Sequence, residues 1–255
     1  TNQAFRDSGL FHILSISGLH MAIIAGAAFL LIRVALAAVP ALALRYPIKK
    51  WAAVGAMVAT LGYLLISGSS FATVRSYVMI SIMFLAVLLD RPAVALRNVA
   101  LAALAILVVW PESLLDAGFQ MSFAAVVALV SAYEWLRARR EARVHPHGAL
   151  LRAVGMLGAF VGGIVLTTLI ASAAVTPFGL YHFHNTQAFA VLANLFAIPV
   201  CNFIVMPAAL ASLLFMPLGL EAGPLWIMGQ GIEMMTWCAT RVAGLPGSVG
   251  RVPAI

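Results

Sequence analysis

Most charged residues of this chain lie in a few short breaks, and long apolar runs such as "MAIIAGAAFLLI" fill the stretches between them. Hydrophobic residues make up 64% of the sequence and charged residues only 9%. A globular domain is about 45–50% apolar and about 25% charged. A chain of 255 residues cannot hide so much apolar surface from water in one soluble core. The pattern therefore predicts a membrane protein built from several helices.

The breaks divide the chain into predicted helical segments, and the fold class that follows is all-α. We expect a polytopic bundle with roughly 8–9 membrane helices, allowing about 20 residues for a straight span, and with short broken or re-entrant segments on the extracytoplasmic side. We expect residues 1–255 to form a single membrane domain and to be an excerpt from a longer protein. The predicted segments are 19–39, 51–67, 76–90, 97–110, 118–135 and 153–175, with further helices within 187–220 and 224–243.

Two features of the second half leave questions open. Pro199, Pro207 and Pro217 interrupt the apolar run after position 187, which allows either one kinked helix or two short ones. The segment "TPFGLYHFHN" (176–185) is expected to be a loop that follows the helix at 153–175.

Basic residues concentrate in alternate breaks. Lysines and arginines cluster in 33–50, in 90–97 and in 134–152, which are the first, third and fifth breaks within the bundle. Because cytoplasmic loops carry the excess of Lys and Arg, these three breaks are predicted to face the cytoplasm. The remaining breaks then face the other side, and they contain most of the unusual polar residues of the chain.

The stretch "FHILSISGLH" (11–20) leads directly into the first apolar run. At about 100° per residue in a continuous helix, its polar positions do not share one face. A helix that faces lipid cannot carry polar groups all round, so we expect a protein or water sheath, or a helix break near Gly18. The polar positions of the stretch are His12, Ser15, Ser17, Gly18 and His20.

Arg75 and Asp116 stand at the outer ends of two predicted helices. A charge within a bilayer costs about 2.5–3.5 kcal/mol on insertion scales, so it persists where it is paired, hydrated or required. We hypothesise that Arg75 and Asp116 pair, or that both line one water-filled vestibule. The alternative is that they are two ordinary interfacial charges in contact with water.

Other constellations are weaker. His182 and His184 in "HFH", together with His12 and His20, suggest a metal site, but no H-E-x-x-H accompanies them and a structural or pore-lining role is favoured. We expect no metal and no cofactor. "SISG" is similar to the G-x-S-G of intramembrane serine proteases, with Ser17 as nucleophile and a histidine from another helix as base.

Four motifs in order resemble the ComEC-type competence protein family of DNA-uptake membrane proteins. The resemblance runs from about Phe5 to Pro207. It is carried by "FRDSGLFHILSISGLHMAIIAG", "LISGSSFATVRSYVM", "DRPAVALRNVALAALAILVVWPESLLDAGFQMSFAAV" and "TPFGLYHFHNTQAFAVLANLFAIPV". The matching motif positions are Ser17, Gly18, His20, Arg75, Gly118, Phe119, Gln120, Asn194 and Pro199.

The resemblance implies an inner-membrane channel that passes single-stranded DNA into the cytoplasm during natural transformation. It implies no enzymatic activity in this segment, since the family's nuclease-like domain lies outside it. The implied partners are single-stranded DNA, the lipid bilayer, an extracytoplasmic DNA receptor and a cytoplasmic ATPase, with a homo-oligomer possible. Rival classes are the intramembrane protease and a small-solute permease, which should show inverted-repeat symmetry.

Neutral polar groups suit such a path because they solvate phosphates without trapping them, and aromatic rings can stack on bases. The predicted path residues are His12, Ser15, Ser17, Gly18, His20, Arg75, Asp116, Gly118, Phe119, Gln120, His182, His184 and Asn194.

Overall fold

A computed structural model describes residues 2–10, 18–140, 149–183, 185–187 and 189–251. Helices account for most of them. The α-helices, numbered in chain order, are α1 Asn2–Asp7, α2 Gly18–Ala37, α3 Pro40–Arg45, α4 Ile48–Ile66, α5 Phe71–Leu88, α6 Leu96–Val109, α7 Ala117–Arg140, α8 Ala149–Phe183, α9 Ala190–Val200, α10 Met206–Phe215 and α11 Ala222–Ala243. Shorter elements are 3-10 helices at Pro111–Leu115 and Met216–Leu218, a π-helix at Cys201–Val205, and the strands β1 Asn185–Gln187 and β2 Val249–Arg251.

Six helices in the described part of the chain are long and apolar enough to cross a membrane. The predicted helical membrane class is confirmed at this level. The two strands pair antiparallel, with Asn185 opposite Arg251. The six candidate spans are His20–Ala37, Ile48–Ile66, Phe71–Leu88, Ala117–Ala138, Gly162–Phe183 and Ala190–Leu218, and Leu96–Val109 is a shorter apolar helix.

The chain divides into two compact units. Unit one comprises the described residues within Ser15–Phe123, and unit two comprises those within Thr1–Leu14 and Ala124–Ile255. The expectation that 1–255 forms a single domain stays a prediction, because a division by compactness does not define a family domain.

In unit one, α2 packs against α4 and α5, and α5 packs against α6. The approach of α2 to α4 is close, since a Cβ added to Gly55 would lie 2.5 Å from Cδ1 of Ile32. The apolar core between α5, α6 and the start of α7 is built on Ala102, Ile106, Phe119 and Phe123.

The helices α5 and α6 run in opposite directions. Residues 89–95 connect the C-terminal end of α5 to the start of α6. At this end Asp90 forms an ion pair with Lys50, at 2.6 Å from Nζ to Oδ2. At the N-terminal end of α5, the Phe71 ring meets the Trp110 ring edge-on with centroids 5.9 Å apart. Although α6 has only 14 residues, it therefore returns along the length of α5.

In unit two, the short helix α1 packs against α11, which also contacts α9, the π-helix and α10. The shared core includes Phe5 and Leu10 from the N-terminal segment and Met235, Cys238 and Val242 from α11. Residues far apart in the chain thus form one core.

The structure corrects the predicted loop at 176–185, because α8 continues to Phe183 and carries Pro177 inside it. Proline removes one backbone donor and frees the carbonyl four residues earlier. Within membrane helices such a proline is tolerated when hydroxyl side chains and local adjustment satisfy the backbone. Thr176, the residue before the proline, donates from Oγ1 to the Ser172 carbonyl at 2.7 Å, next to the Ala173 carbonyl that Pro177 leaves without its usual donor.

The proline-rich run after position 187 forms one interrupted helix, which is the first of the two alternatives. The π-helix Cys201–Val205 joins α9 directly to α10, and a π-turn of this kind accommodates an extra residue within a continuous helix. At this turn α11 approaches closely, since a Cβ on Gly231 would lie 2.6 Å from Cγ2 of Val205.

We expect Gly231→Ala to destabilise unit two, because the added methyl overlaps Val205 and overpacking costs about 1–3 kcal/mol. Gly229→Ala is the matched control in the same helix, as a Cβ there meets nothing within 4 Å. Alanine's higher helix propensity should leave that variant unchanged or slightly stabilised. Thermal unfolding of both variants in detergent measures the difference, and equal midpoints would contradict the close approach.

Candidate functional site

Arg75 lies one turn inside α5, at the end where a serine-rich turn enters the helix. Gly68 and Ser69 adopt left-handed backbone angles, with φ of 82° and 48°. Ser70 then caps the helix, its Oγ accepting from the Thr73 N–H at 3.4 Å. The sequence predicted that this helix begins at 76. In the structure it begins at Phe71, after the Ser70 cap, so Arg75 is a helical residue. It is 8% exposed.

Asp116 precedes the first residue of α7 and caps that helix. Its Oδ2 accepts from the backbone N–H of Phe119 at 2.8 Å, the side-chain-to-third-residue bond that satisfies an unpaired amide at a helix start. The same Oδ2 accepts from Nη1 of Arg75 at 3.3 Å. One carboxylate oxygen therefore serves both the helix cap and the ion pair. The predicted pairing of Arg75 and Asp116 is confirmed.

Gly118 makes room for this ion pair. A Cβ on Gly118 would lie 2.9 Å from Nη2 of Arg75 and 3.0 Å from Oδ2 of Asp116. A side chain there would have to displace the guanidinium or the carboxylate. Glycine in the second position of α7 thus lets α5 approach the start of α7.

One aromatic ring lies against the charge, and two more pack together in the core of unit one. The Arg75 guanidinium carbon lies 5.1 Å from the centroid of the Phe71 ring, a cation–π distance. Phe119 stacks at a tilt on Phe123 with centroids 4.4 Å apart. Both Phe119 and Phe123 are buried in the unit-one core, so their main role is to pack against neighbouring apolar side chains.

The electrostatics of the pair are uneven. The Arg75 side chain is 10% exposed and the Asp116 side chain 47% exposed. Nε of Arg75 is buried without a hydrogen-bond partner in the described part of the chain. The Nη1–Oδ2 distance also exceeds the 2.7–2.9 Å of a strong charge-assisted bond. The guanidinium is therefore a fixed cation that a single, partly hydrated carboxylate neutralises.

Two further predicted residues of unit one lie near this end of α5. A Cβ on Gly18 would lie 3.0 Å from Oγ of Ser76, so the start of α2 abuts the residue after Arg75. His20 is half-buried in the first turn of α2. Ser76 is not among the residues predicted from the sequence. Its position next to Arg75 is the one sequence feature that could have indicated its place near the site.

Gln120 reaches back over the helix start. Its Nε2 donates to the Leu114 carbonyl at 2.9 Å, which ties α7 to the 3-10 helix Pro111–Leu115. The structure thus brings together Arg75, Asp116, Gly118, Phe119 and Gln120. We call these five residues the Arg75 cluster.

Apart from Gly18 and His20, the remaining predicted path residues lie outside the described residues or in unit two. Four of them lie outside the described residues: His12, Ser15, Ser17 and His184. Ser17 is the nucleophile that an intramembrane protease would need. His182 belongs to unit two, where its ring stands edge-on to Tyr181 at 5.0 Å.

Asn194 also belongs to unit two, in α9, and its Oδ1 is buried without a hydrogen-bond partner in the described part of the chain. Among the described residues, no group of three or more His, Cys, Asp or Glu side chains could hold a metal ion.

The sequence matches the family model described as Competence protein over residues 1–255. The chain belongs to the competence protein family. This competence-family chain is 24% identical over 224 residues to ComE operon protein 3 of Bacillus subtilis (strain 168), covering 88% of this chain and 25% of that protein.

It is also 29% identical over 235 residues to Uncharacterized protein YcaI of Escherichia coli (strain K12), covering 91% of this chain and 29% of that protein. The competence-family chain thus spans between a quarter and a third of the length of these relatives. No solved structure matches it.

We expect Asp116→Ala to destabilise this competence-family chain more than Asp116→Asn. Asparagine caps a helix about as well as aspartate, whereas alanine loses about 1 kcal/mol of capping. Both variants leave the Arg75 charge unneutralised, so their difference isolates the cap. Unfolding midpoints in detergent test this ordering; equal midpoints would mean that the bond to the Phe119 amide contributes nothing.

Proposed function

We propose that this chain conducts single-stranded DNA across the inner membrane into the cytoplasm during natural transformation. Support comes from its membership of the competence family and from its apolar helices. The observation that carries the proposal is the Arg75 cluster, a fixed cation at a helix end together with a partly hydrated carboxylate and the neutral amide of Gln120. The role assigns no catalytic residue to this segment.

The physical argument concerns transit rather than affinity. A conducting path must bind its cargo well enough to admit it and weakly enough to release it. Asp116 neutralises Arg75, so a phosphate that approaches the guanidinium competes with a carboxylate already in place. The net attraction is therefore small, which suits a strand that passes many phosphates through the same point.

The proposed topology places the Arg75 cluster outside. The basic breaks 33–50, 90–97 and 134–152 would face the cytoplasm, and the Lys50–Asp90 pair would lie on that side. Because α6 returns along α5, it would cross the membrane despite its length. With α11, this gives eight membrane helices, the lower value of the predicted range, and leaves Pro111–Leu115 as a short broken segment outside.

The remaining path residues are proposed on the same reasoning. Gly18, His20, Gln120 and Asn194 would line the path, together with His12, Ser15, Ser17, His182 and His184. An extracytoplasmic receptor would deliver the DNA and a cytoplasmic ATPase would draw the strand inward. A homo-oligomer remains compatible with this arrangement.

The test replaces the resident gene of a transformable host with the full-length protein and its variants. We expect Arg75→Gln and Asp116→Asn each to lower cytoplasmic arrival of labelled DNA about tenfold, equivalent to about 1.4 kcal/mol in the barrier, while surface binding persists. The double variant should be no worse than either single one, because both remove the same pair.

Glu112→Gln is the matched control. Glu112 is an exposed acid four residues before Asp116. Its substitution therefore makes the same charge change as Asp116→Asn without altering the Arg75–Asp116 pair. It should leave DNA arrival unchanged. Normal transformation by all the variants, at normal protein levels, would refute the placement of the Arg75 cluster on the path, and equal loss in Glu112→Gln would reduce the effect to general surface charge.

A further inference from the structure

We infer that the connection between α2 and α4 is an interfacial anchor that binds the headgroups of anionic lipids. The anchor consists of α3 and the residues from Tyr46 to Trp51, with the loop 90–97 beside it. This inference concerns the opposite end of α5 from the Arg75 cluster, and it does not depend on what the chain transports.

The side chains of α3 are not covered by the rest of the described chain. None of its residues is buried, and Leu44 is 87% exposed. Its sequence PALALR is nevertheless apolar apart from the arginine. An apolar helix left open to water is unfavourable, and a helix of this kind is stable with its apolar side in the acyl boundary.

The flanking helices place α3 at a membrane surface. The candidate spans His20–Ala37 and Ile48–Ile66 end and begin on either side of it. Residues 38–47 therefore connect two spans at the same surface. The segment lies where acyl chains give way to headgroups.

An aromatic pair marks the same level. The rings of Tyr46 and Trp51 lie 5.1 Å apart, and both side chains are exposed. Tyr and Trp concentrate at membrane interfaces because their rings are apolar and their N–H or O–H groups remain hydrated.

Positive charge gathers at this end. Asp90 is the single acidic residue between positions 8 and 111, and its carboxylate is paired with Lys50. Asn98 holds the adjoining loop by donating from Nδ2 to the carbonyls of Pro92 and Ala93 at 2.8 and 2.7 Å. The exposed cations of the anchor are Arg45, Lys49, Arg91 and Arg97.

The positive charge of the anchor favours a negatively charged ligand. Phosphate-bearing lipids attract such cations with about a fivefold gain in binding for each Lys or Arg near the surface. A nucleic acid would also attract them, but it offers no apolar phase for Leu44 and Val39. The union of exposed apolar groups, interfacial aromatics and cations favours a lipid surface carrying anionic headgroups.

The first experiment locates Leu44. Leu44→Cys in the full-length protein is labelled with an environment-sensitive fluorophore in nanodiscs; native Cys201 and Cys238 are buried, so unsubstituted protein gives the background. We expect quenching by nitroxide lipids labelled near the headgroup and protection from aqueous iodide. Quenching by iodide alone, or by neither agent, would overturn the anchor.

The second experiment measures retained phosphatidylglycerol by native mass spectrometry. We expect Arg45→Gln with Lys49→Gln to lower its retention about 25-fold, which is about fivefold for each charge removed, and Asp90→Asn to raise it by freeing Lys50. Glu112→Gln makes the same net charge change as Asp90→Asn at the other end of unit one, and it should change nothing. Equal retention in all variants would overturn the lipid assignment, as would displacement of the lipid by a single-stranded oligonucleotide.

Discussion

The ion pair between Arg75 and Asp116 is the interaction on which unit one depends. A guanidinium buried among apolar helices must be neutralised, because an uncompensated charge in such surroundings costs several kcal/mol. The carboxylate that neutralises it also begins α7, through its bond to the Phe119 amide. Helix start and charge compensation therefore cannot be changed independently. Gly118 belongs to the same constraint, since any side chain there would meet both partners.

This arrangement explains how a strong cation can stand in a proposed conduction path without acting as a trap. Arg75 is held by the Phe71 ring and by a single carboxylate oxygen, at a distance longer than an optimal charged bond. Its positive field is reduced but not abolished. A passing anion would gain only the difference between its own interaction and that of Asp116, so binding and release both stay shallow.

The sequence predicted the parts of the structure that follow from the cost of burying charge. The pairing of Arg75 and Asp116 was one of the alternatives that the sequence left open, and it was suggested by the position of each at the end of an apolar run. Apolar runs separated by charged breaks likewise predicted the helices. The helix through Pro177 was missed because a proline with a glycine two residues later is typical of a boundary in a soluble protein, whereas membrane helices tolerate proline.

Close approaches between helices were beyond the reach of the sequence. Nothing in the local pattern showed that Gly18 faces Ser76, that Gly118 faces Arg75, or that Gly231 faces Val205. Glycine is frequent in membrane helices, and at most of the described glycines an added Cβ would meet nothing nearby. The presence of a glycine alone therefore does not reveal which helices touch. The start of α5 was likewise misplaced because Ser70 acts as a cap only in the folded turn.

The ion pairs at the two ends of α5 show how the same chemistry serves different purposes. Lys50 and Asp90 are 36% and 73% exposed in their side chains, against 10% and 47% for Arg75 and Asp116. An exposed pair contributes about 0–1 kcal/mol, so the Lys50 end tolerates rearrangement among cations and headgroups. Loss of a partner from a buried pair costs about 3–5 kcal/mol, and less where water reaches one side, as at Asp116. One end of α5 is thus fixed by compensation of a buried charge, and the other is free to adapt to the membrane surface.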